Sequence, residues 1–131
     1  MNQEHVGQIT GKLSPFLERI RNNQVAQFVR DGSTLLDLGC GRAALYHALV
    51  RKRKTRVNYF GVDRIQSCID FNRRTFPQCT FFCADVDRLR SEMFTVTFDV
   101  VTMVAVLEHV NNPEYVFSVI DRKSTRLNSS H

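Results

Sequence analysis

The 131-residue sequence has no tryptophan, only three prolines and only six glycines, which excludes a collagen-like repeat and a proline- and glycine-rich disordered chain. It lacks any apolar run near the roughly 20 residues needed to cross a bilayer. The longest candidate, residues 98–107, is strand-sized and interrupted by Asp99. Residues 1–12 are polar, with no apolar stretch after their charges, so no secretory signal is expected there. The four cysteines, Cys40, Cys68, Cys79 and Cys83, form no C-x-x-C pair, and His5, His47, His109 and His131 are scattered without ligand spacing. Those absences exclude a disulfide mini-protein and argue against a metal site. Cys79 and Cys83 share a strand face but lie too far apart along it for an easy bridge. Reduced, mostly buried thiols in a soluble cytoplasmic protein are the expectation.

What is present is an ordinary globular balance, 43% hydrophobic and 24% charged, with ten phenylalanines to fill one core. The formal charge of +5 needs one correction. Residues 121–131 resemble the in-frame translation of a sequencing-library adapter and are set aside as a fusion scar. Arg122, Lys123, Arg126 and Asp121 leave with that segment, so two net positive charges are lost and +5 becomes +3. That is too mild to imply a nucleic-acid partner. Arg51-Lys52-Arg53-Lys54 reads as the solvated end of a helix, its charges complementing the helix dipole.

Along the chain, Ser14-Pro15 opens a helix with a capping side chain and a ring preset for the first turn. Leu13, Phe16, Leu17 and Ile20 keep helical spacing, as do Val25, Phe28 and Val29 after the polar break at residues 21–24. Asp31-Gly32-Ser33 ends that element. Strands are expected at residues 34–38, 57–62, 80–83 and 98–104, the last nearly all apolar and covered on both faces. Helices are expected at residues 43–51, with Ala44, Leu45, Ala48 and Leu49 inward, and at residues 65–74. A final helix is capped by Asn112-Pro113-Glu114. Strand and helix alternating at this rhythm predict right-handed βαβ units, hence an α/β fold with an open parallel sheet whose ligands sit beyond the carboxyl ends of the strands.

The strongest local signal is Leu35-Leu36-Asp37-Leu38-Gly39-Cys40-Gly41-Arg42-Ala43. Two glycines at this spacing, after a buried strand and before a helix, let the backbone turn sharply and bring its N–H groups against a ligand. Gly39-x-Gly41-x-x-Ala44 also satisfies the dinucleotide fingerprint, with Asp63 at a plausible distance for gripping a ribose. Asp37 favours a different cofactor. A carboxylate two residues before the first glycine would repel a pyrophosphate, whereas a ligand bearing an ammonium and a sulfonium would be attracted. That points to S-adenosylmethionine over NAD. Asp63, ending the second strand, has the place to accept from both ribose hydroxyls, and Asp85, beyond the third, to accept from the exocyclic amine of adenine. Asp99 opens the fourth strand at its amino end, away from the ligand side, where a structural role is expected. Capping is the plainer role for any single Asp at a strand–helix junction; the joint placement of three favours cofactor contact. Of Phe81 and Phe82, which face opposite ways, at least one belongs to the core, and His47 reads as a surface or packing residue.

These stretches, from about Leu35 to Pro113, resemble the class I S-adenosylmethionine-dependent methyltransferases, in the manner of members that methylate quinone precursors and related metabolites. Asp37-x-Gly39-x-Gly41 matches the family's glycine-rich loop, Asp63 its ribose-binding acid, Cys83-Ala84-Asp85-Val86 its adenine-pocket segment, and residues 98–110 its fourth strand and following turn. Ala43 stands where many members have a third glycine. The resemblance implies a Rossmann-like parallel sheet truncated after the fourth strand. Residues 1–33 would form an N-terminal helical segment, residues 34–120 a partial S-adenosylmethionine-binding domain and residues 121–131 a non-native tail. It implies cofactor contacts from Asp37, Gly39, Cys40, Gly41, Asp63, Arg64, Asp85, Val86 and Val104, no metal, and a small-molecule methyl acceptor.

Methyl transfer from a sulfonium is an in-line displacement in which the enzyme chiefly aligns nucleophile and methyl carbon. His109, after the fourth strand on the ligand side and titrating near neutrality, is the one visible candidate base; the plainer role for Glu108 and His109 is to cap that turn or line the pocket. The rival readings are an NAD-dependent oxidoreductase and a non-catalytic nucleotide-binding relative. The family's sheet has seven strands, so the fourth is left here as an open apolar edge. The 131-residue chain is therefore expected to be poorly stable and catalytically inactive; a thermal scan with cofactor titration tests this, and a sharp melt with tight binding would contradict it.

Overall fold

A computed structural model describes residues 15–103 and 110–125 of the chain. Helix α1 (Pro15–Ala26) leads into β1 (Ser33–Leu38), then α2 (Ala44–His47), which widens into a π-helical turn at Ala48–Lys52. Strand β2 (Val57–Asp63), helix α3 (Gln66–Thr75) and strand β3 (Thr80–Cys83) come next in the chain. Two 3-10 turns (Val86–Arg88 and Ser91–Met93) precede β4 (Val100–Thr102) and α4 (Pro113–Arg122). All strand pairs are parallel, in the order β3-β2-β1-β4. The order reverses between β1 and β4, so the switch point lies where those two strands end.

The strands sort the core by alternation. Leu35, Tyr59 and Phe81 face one side of the sheet, where they pack with Ala26, Leu45, Tyr46, Leu49 and Ile69 from the first three helices. Leu36, Leu38, Phe60 and Val62 face the other side, against Val86, Leu89, Phe94, Phe98 and α4 through Val116 and Val119. Phe81 thus joins the first layer at 4% exposure, while Phe82 meets Phe94 edge-on across 5.3 Å in the second.

Four expectations change. Helix α1 continues through the polar stretch, burying Asn22, and Phe28 is 77% exposed. The tight turns Phe28 N–H to Val25 O and Val29 N–H to Ala26 O rotate Phe28 outward and Val29 inward. In the first crossover, Ala43 is not helical but caps α2 in the left-handed region at φ 62°. Ala44 consequently faces solvent, and Tyr46 is buried instead, its ring 5.1 Å from Tyr59 and 5.3 Å from Phe76. Strand β4 is three residues long, with Val100 and Val101 half-buried, because among the described residues only β1 pairs with it. Helix α4 ends at Arg122, inside the adapter-like segment, and the next residues pair with Phe98, two residues before β4. Phe98 N–H donates to Lys123 O at 2.7 Å and Thr125 N–H to Phe98 O at 3.0 Å, a parallel bridge between Phe98 and Ser124.

Gly61, in the middle of β2, sets how closely the loop after β1 can approach the sheet. A Cβ there would stand 2.9 Å from Cys40 Sγ and 2.9 Å from the Phe81 ring, so only glycine lets that loop press onto β2. Gly61→Ala is expected to lower stability by roughly 1–3 kcal/mol through overpacking. In urea titrations, Cys40→Gly in the same background should recover part of that loss; no recovery would place the strain on Phe81 alone.

Candidate functional site

The bend after β1 is built by three residues with positive φ: Gly39 (78°), Gly41 (54°) and Ala43 (62°). The region is open to glycine and costs an alanine roughly 1–2 kcal/mol. The bend folds back onto the end of β2. Gly39 and Cys40 N–H groups both donate to Val62 O, at 2.8 and 3.0 Å. Gly41 N–H donates to Asp63 Oδ2 at 2.9 Å, and Asp63 Oδ1 accepts from Ile65 N–H at 2.9 Å. The bend's N–H groups therefore point at β2 and its terminal carboxylate, not outward as the sequence suggests. Asp63 is half-buried, and each of its oxygens keeps a second lone pair for another donor.

Asp37 is also placed differently. Its carboxylate is turned into the protein, 4% exposed, accepting from Tyr59 Oη at 2.5 Å and from Thr102 Oγ1 at 2.9 Å. In register it stands between Gly61 of β2 and Thr102 of β4, at the switch point. Burial raises its pKa from 3.8 to about 6, against the lowering effect of the two hydroxyl donors, and the nearby charge of Asp63 adds to the rise. Strand alternation explains the difference: two residues after buried Leu35, Asp37 falls on the same face.

Ala84 N–H donates to Asp63 O at 3.0 Å, so the ends of β2 and β3 lie side by side and Asp85 comes immediately after. Asp85 is exposed and caps the first 3-10 turn, accepting from Asp87 N–H at 2.9 Å. Val86 is buried in the second core layer, Arg64 is exposed, and Cys40 is buried beneath the bend, where burial pushes its thiol pKa up. Val104 and His109, with Glu108, lie outside the described residues. The structure thus brings Gly39, Cys40, Gly41, Asp63 and Asp85 to one edge of the sheet, with Asp37 beneath it. The four cysteines are free thiols, but of them Cys40 alone is buried, with Cys68 and Cys79 half-buried and Cys83 exposed, so the expectation of mostly buried thiols does not hold. Asp99 behaves as expected, Oδ2 accepting from Thr34 N–H and Oδ1 from Thr125 Oγ1, each at 2.9 Å. A groove lined by Phe28, Arg30, Asp31, Gly32, Ser33, Asp99 and Val100 opens at the opposite end of the sheet and contains none of the candidate cofactor residues.

Sequence reasoning missed three supports. Tyr59, two residues before Gly61, and Thr102 hold Asp37. Asp87 accepts from Asn111 and Asn112 N–H groups at 3.0 Å, tying the segment after β3 to the start of α4. Asn72, fully buried on α3, donates from Nδ2 to Gly41 O at 2.7 Å. Its spacing three residues after buried Ile69 was the available signal.

Comparison with known proteins agrees with this architecture. Residues 36–126 match the model of the methyltransferase domain family. The ubiquinone biosynthesis O-methyltransferase of Coxiella burnetii is 30% identical over 111 residues, covering 79% of this chain and 45% of the relative. The chain therefore spans about half the length of the curated relatives it matches. Among solved structures, a TehB-like S-adenosylmethionine-dependent methyltransferase from Corynebacterium glutamicum superposes with a TM-score of 0.68 at 19% identity, covering 82% of this chain and 57% of the other. Coclaurine N-methyltransferase, bound to N-methylheliamine and S-adenosylhomocysteine, gives 0.64 at 23% identity, with 84% and 33% covered. The fold is the Rossmann-like one of the class I methyltransferases. The chain belongs to the methyltransferase domain family.

Because its folded pKa is raised, Asp37 adds stability that is complete below pH 3.8 and lost as pH rises through about 6, worth roughly 3 kcal/mol for this fully buried group. Asp87 and Asp99, lowered by the N–H groups they accept from, act oppositely and only below the ordinary carboxylate range. Urea midpoints are expected to fall between about pH 4 and pH 6 and to level off above that, and Asp37→Asn to flatten that slope. An unchanged slope in the variant would assign the titration to another group.

Proposed function

We propose that this chain carries the S-adenosylmethionine-binding half of a class I methyltransferase acting on a small-molecule acceptor in the cytoplasm. The observation that carries the reading is the use of the bend's N–H groups. A dinucleotide pyrophosphate rests on free backbone donors at a glycine turn and helix N-terminus. Here Gly39, Cys40 and Gly41 have given theirs to Val62 O and Asp63. What remains toward a ligand is acceptor capacity and a compact backbone wall, which suits an adenosyl group bearing cationic substituents and no phosphate. That disfavours the NAD reading.

The residues present fit such a group. Asp63 would accept from the ribose hydroxyls, Asp85 would accept from the adenine amine, and Gly39, Cys40 and Gly41 would form the wall, with Arg64, Val86 and Val104 the further cofactor residues that the family resemblance implies. Asp37 acts from below, holding β1 to its neighbours on both sides. When bound, S-adenosylmethionine supplies a methyl carbon activated by its sulfonium. The chain's own part is alignment and exclusion of water, with His109 taking the acceptor's proton where that acceptor is a hydroxyl. The likeness to an O-methyltransferase of ubiquinone biosynthesis supports a small-molecule acceptor. Among the described residues no helix is long and apolar enough to cross a membrane.

Calorimetric titration with S-adenosylhomocysteine and with NADH separates the readings. Weak but saturable binding of the first and none of the second is expected, with Asp63→Ala weakening it at least roughly tenfold, the scale of losing hydrogen bonds to a charged group. Unchanged affinity in that variant, or a preference for NADH, defeats the proposal.

A further inference from the structure

Gly41 is held from both sides. Its N–H is taken by Asp63 from the end of β2, at 2.9 Å, and its C=O by Asn72 Nδ2 from α3, at 2.7 Å. Asn72 is 0% exposed, and its Nδ2 lies 3.8 Å from Cys40 Sγ. The amide's orientation is set by Gly41 O, which accepts and so requires the nitrogen. Its other atom, Oδ1, is buried with no hydrogen-bond partner. A buried acceptor without a partner is costly, and an apolar side chain of the same branching would avoid that cost. The neighbouring residue acts on the same bend: the Phe71 ring lies under the guanidinium of Arg42, 4.6 Å from its centroid. Consecutive residues of α3 therefore grip consecutive residues of the bend, Phe71 on Arg42 and Asn72 on Gly41.

We infer that Asn72 is a positioning residue of the cofactor site: it fixes the Gly41 peptide from beneath so that Asp63 and the backbone wall are presented to the ligand in one geometry. The inference rests on the reading of the bend as the cofactor loop. A merely structural asparagine would move stability and affinity together. A positioning one, kept in spite of its unpartnered oxygen, moves them apart.

The test is Asn72→Leu, which has the same number of side-chain heavy atoms and the same branch point but cannot donate. The Gly41 C=O also accepts from the Cys40 thiol at 3.6 Å, and Gly41 is half-buried, so the carbonyl keeps a partner when the Asn72 donor is lost. The urea midpoint of the variant is expected to equal or exceed that of the parent chain, while affinity for S-adenosylhomocysteine falls roughly five- to tenfold, the scale of one positioned hydrogen bond. Amide exchange at Gly41 should accelerate in the variant without ligand. If leucine does not fold, Asn72→Ala is compared with Ile69→Val, a control on the buried face of the same helix; Asn72→Ala must lose more affinity than a control adjusted by temperature to equal stability. Affinity that tracks stability alone, or an unaltered Gly41 exchange rate, overturns the inference and leaves the functional reading intact. Failure of the parent chain to bind S-adenosylhomocysteine at all overturns both.

Discussion

The structure depends on a bend that spends its own backbone donors on the strand next door. Gly39, Cys40 and Gly41 all donate into the last residues of β2, so the loop after β1 is stitched to the sheet at the point where a ligand would sit. Every nearby feature serves that arrangement. Gly61 clears the space for Cys40, Asp63 closes the last donor, and Asn72 takes the carbonyl on the other side of Gly41. A loop fixed this firmly cannot wrap a phosphate by induced movement of its N–H groups. It offers instead a rigid wall and the unused lone pairs of Asp63, which is why the same glycine spacing that serves dinucleotides in other folds points here to a cofactor without phosphate.

Asp37 gives the constraint its second layer. Among the described residues, strand β1 is the one whose neighbours lie on opposite sides of the topological reversal, β2 and β4. Its carboxylate accepts from Tyr59 on one and Thr102 on the other, so one buried group fixes three strands at the switch point. Two neutral hydroxyl donors do not cancel the desolvation of a carboxylate, which explains why its pKa stays raised. The same burial argues against the direct attraction to a sulfonium that its sequence position suggests: the charge works through the sheet it holds together.

Much of this was legible in the residues. The alternation of apolar strands with helices gives the parallel sheet, and Gly39-x-Gly41 with Asp63 gives the bend and the acid that meets it. Asp99 could be assigned to structure because it precedes its strand. Direction is harder to read than position. A glycine pattern says that a backbone turns, but the partners of its N–H groups depend on how closely the next strand approaches, and that depends on Gly61, 20 residues away. Strand periodicity, applied to Leu35 and Asp37, turns Asp37 inward, whereas the glycine motif draws the eye to the loop and away from the face. Phe28 departs from its expected place because helical spacing does not extend past Ala26, where α1 stops. Ala44 departs because an alanine in the left-handed region delays α2 by one residue.

Most of the local costs collect in one place, although Lys54, also in the left-handed region at φ 55°, lies apart from it. Ala43 occupies a region that glycine prefers, Asn72 buries an unpartnered oxygen, and Asp37 buries a carboxylate. Each is of order 1–3 kcal/mol, a sizeable share of the roughly 5–15 kcal/mol that holds a domain together. Leu35, Leu38, Leu49, Tyr59, Val62, Ile69, Leu89 and Phe98 are essentially sealed from water. A sequence selected only to fold would replace at least one of the three costly groups, since glycine at 43 or a branched apolar residue at 72 needs no other change. Lys54 aside, their concentration around one bend marks that bend as the place where stability has been exchanged for geometry.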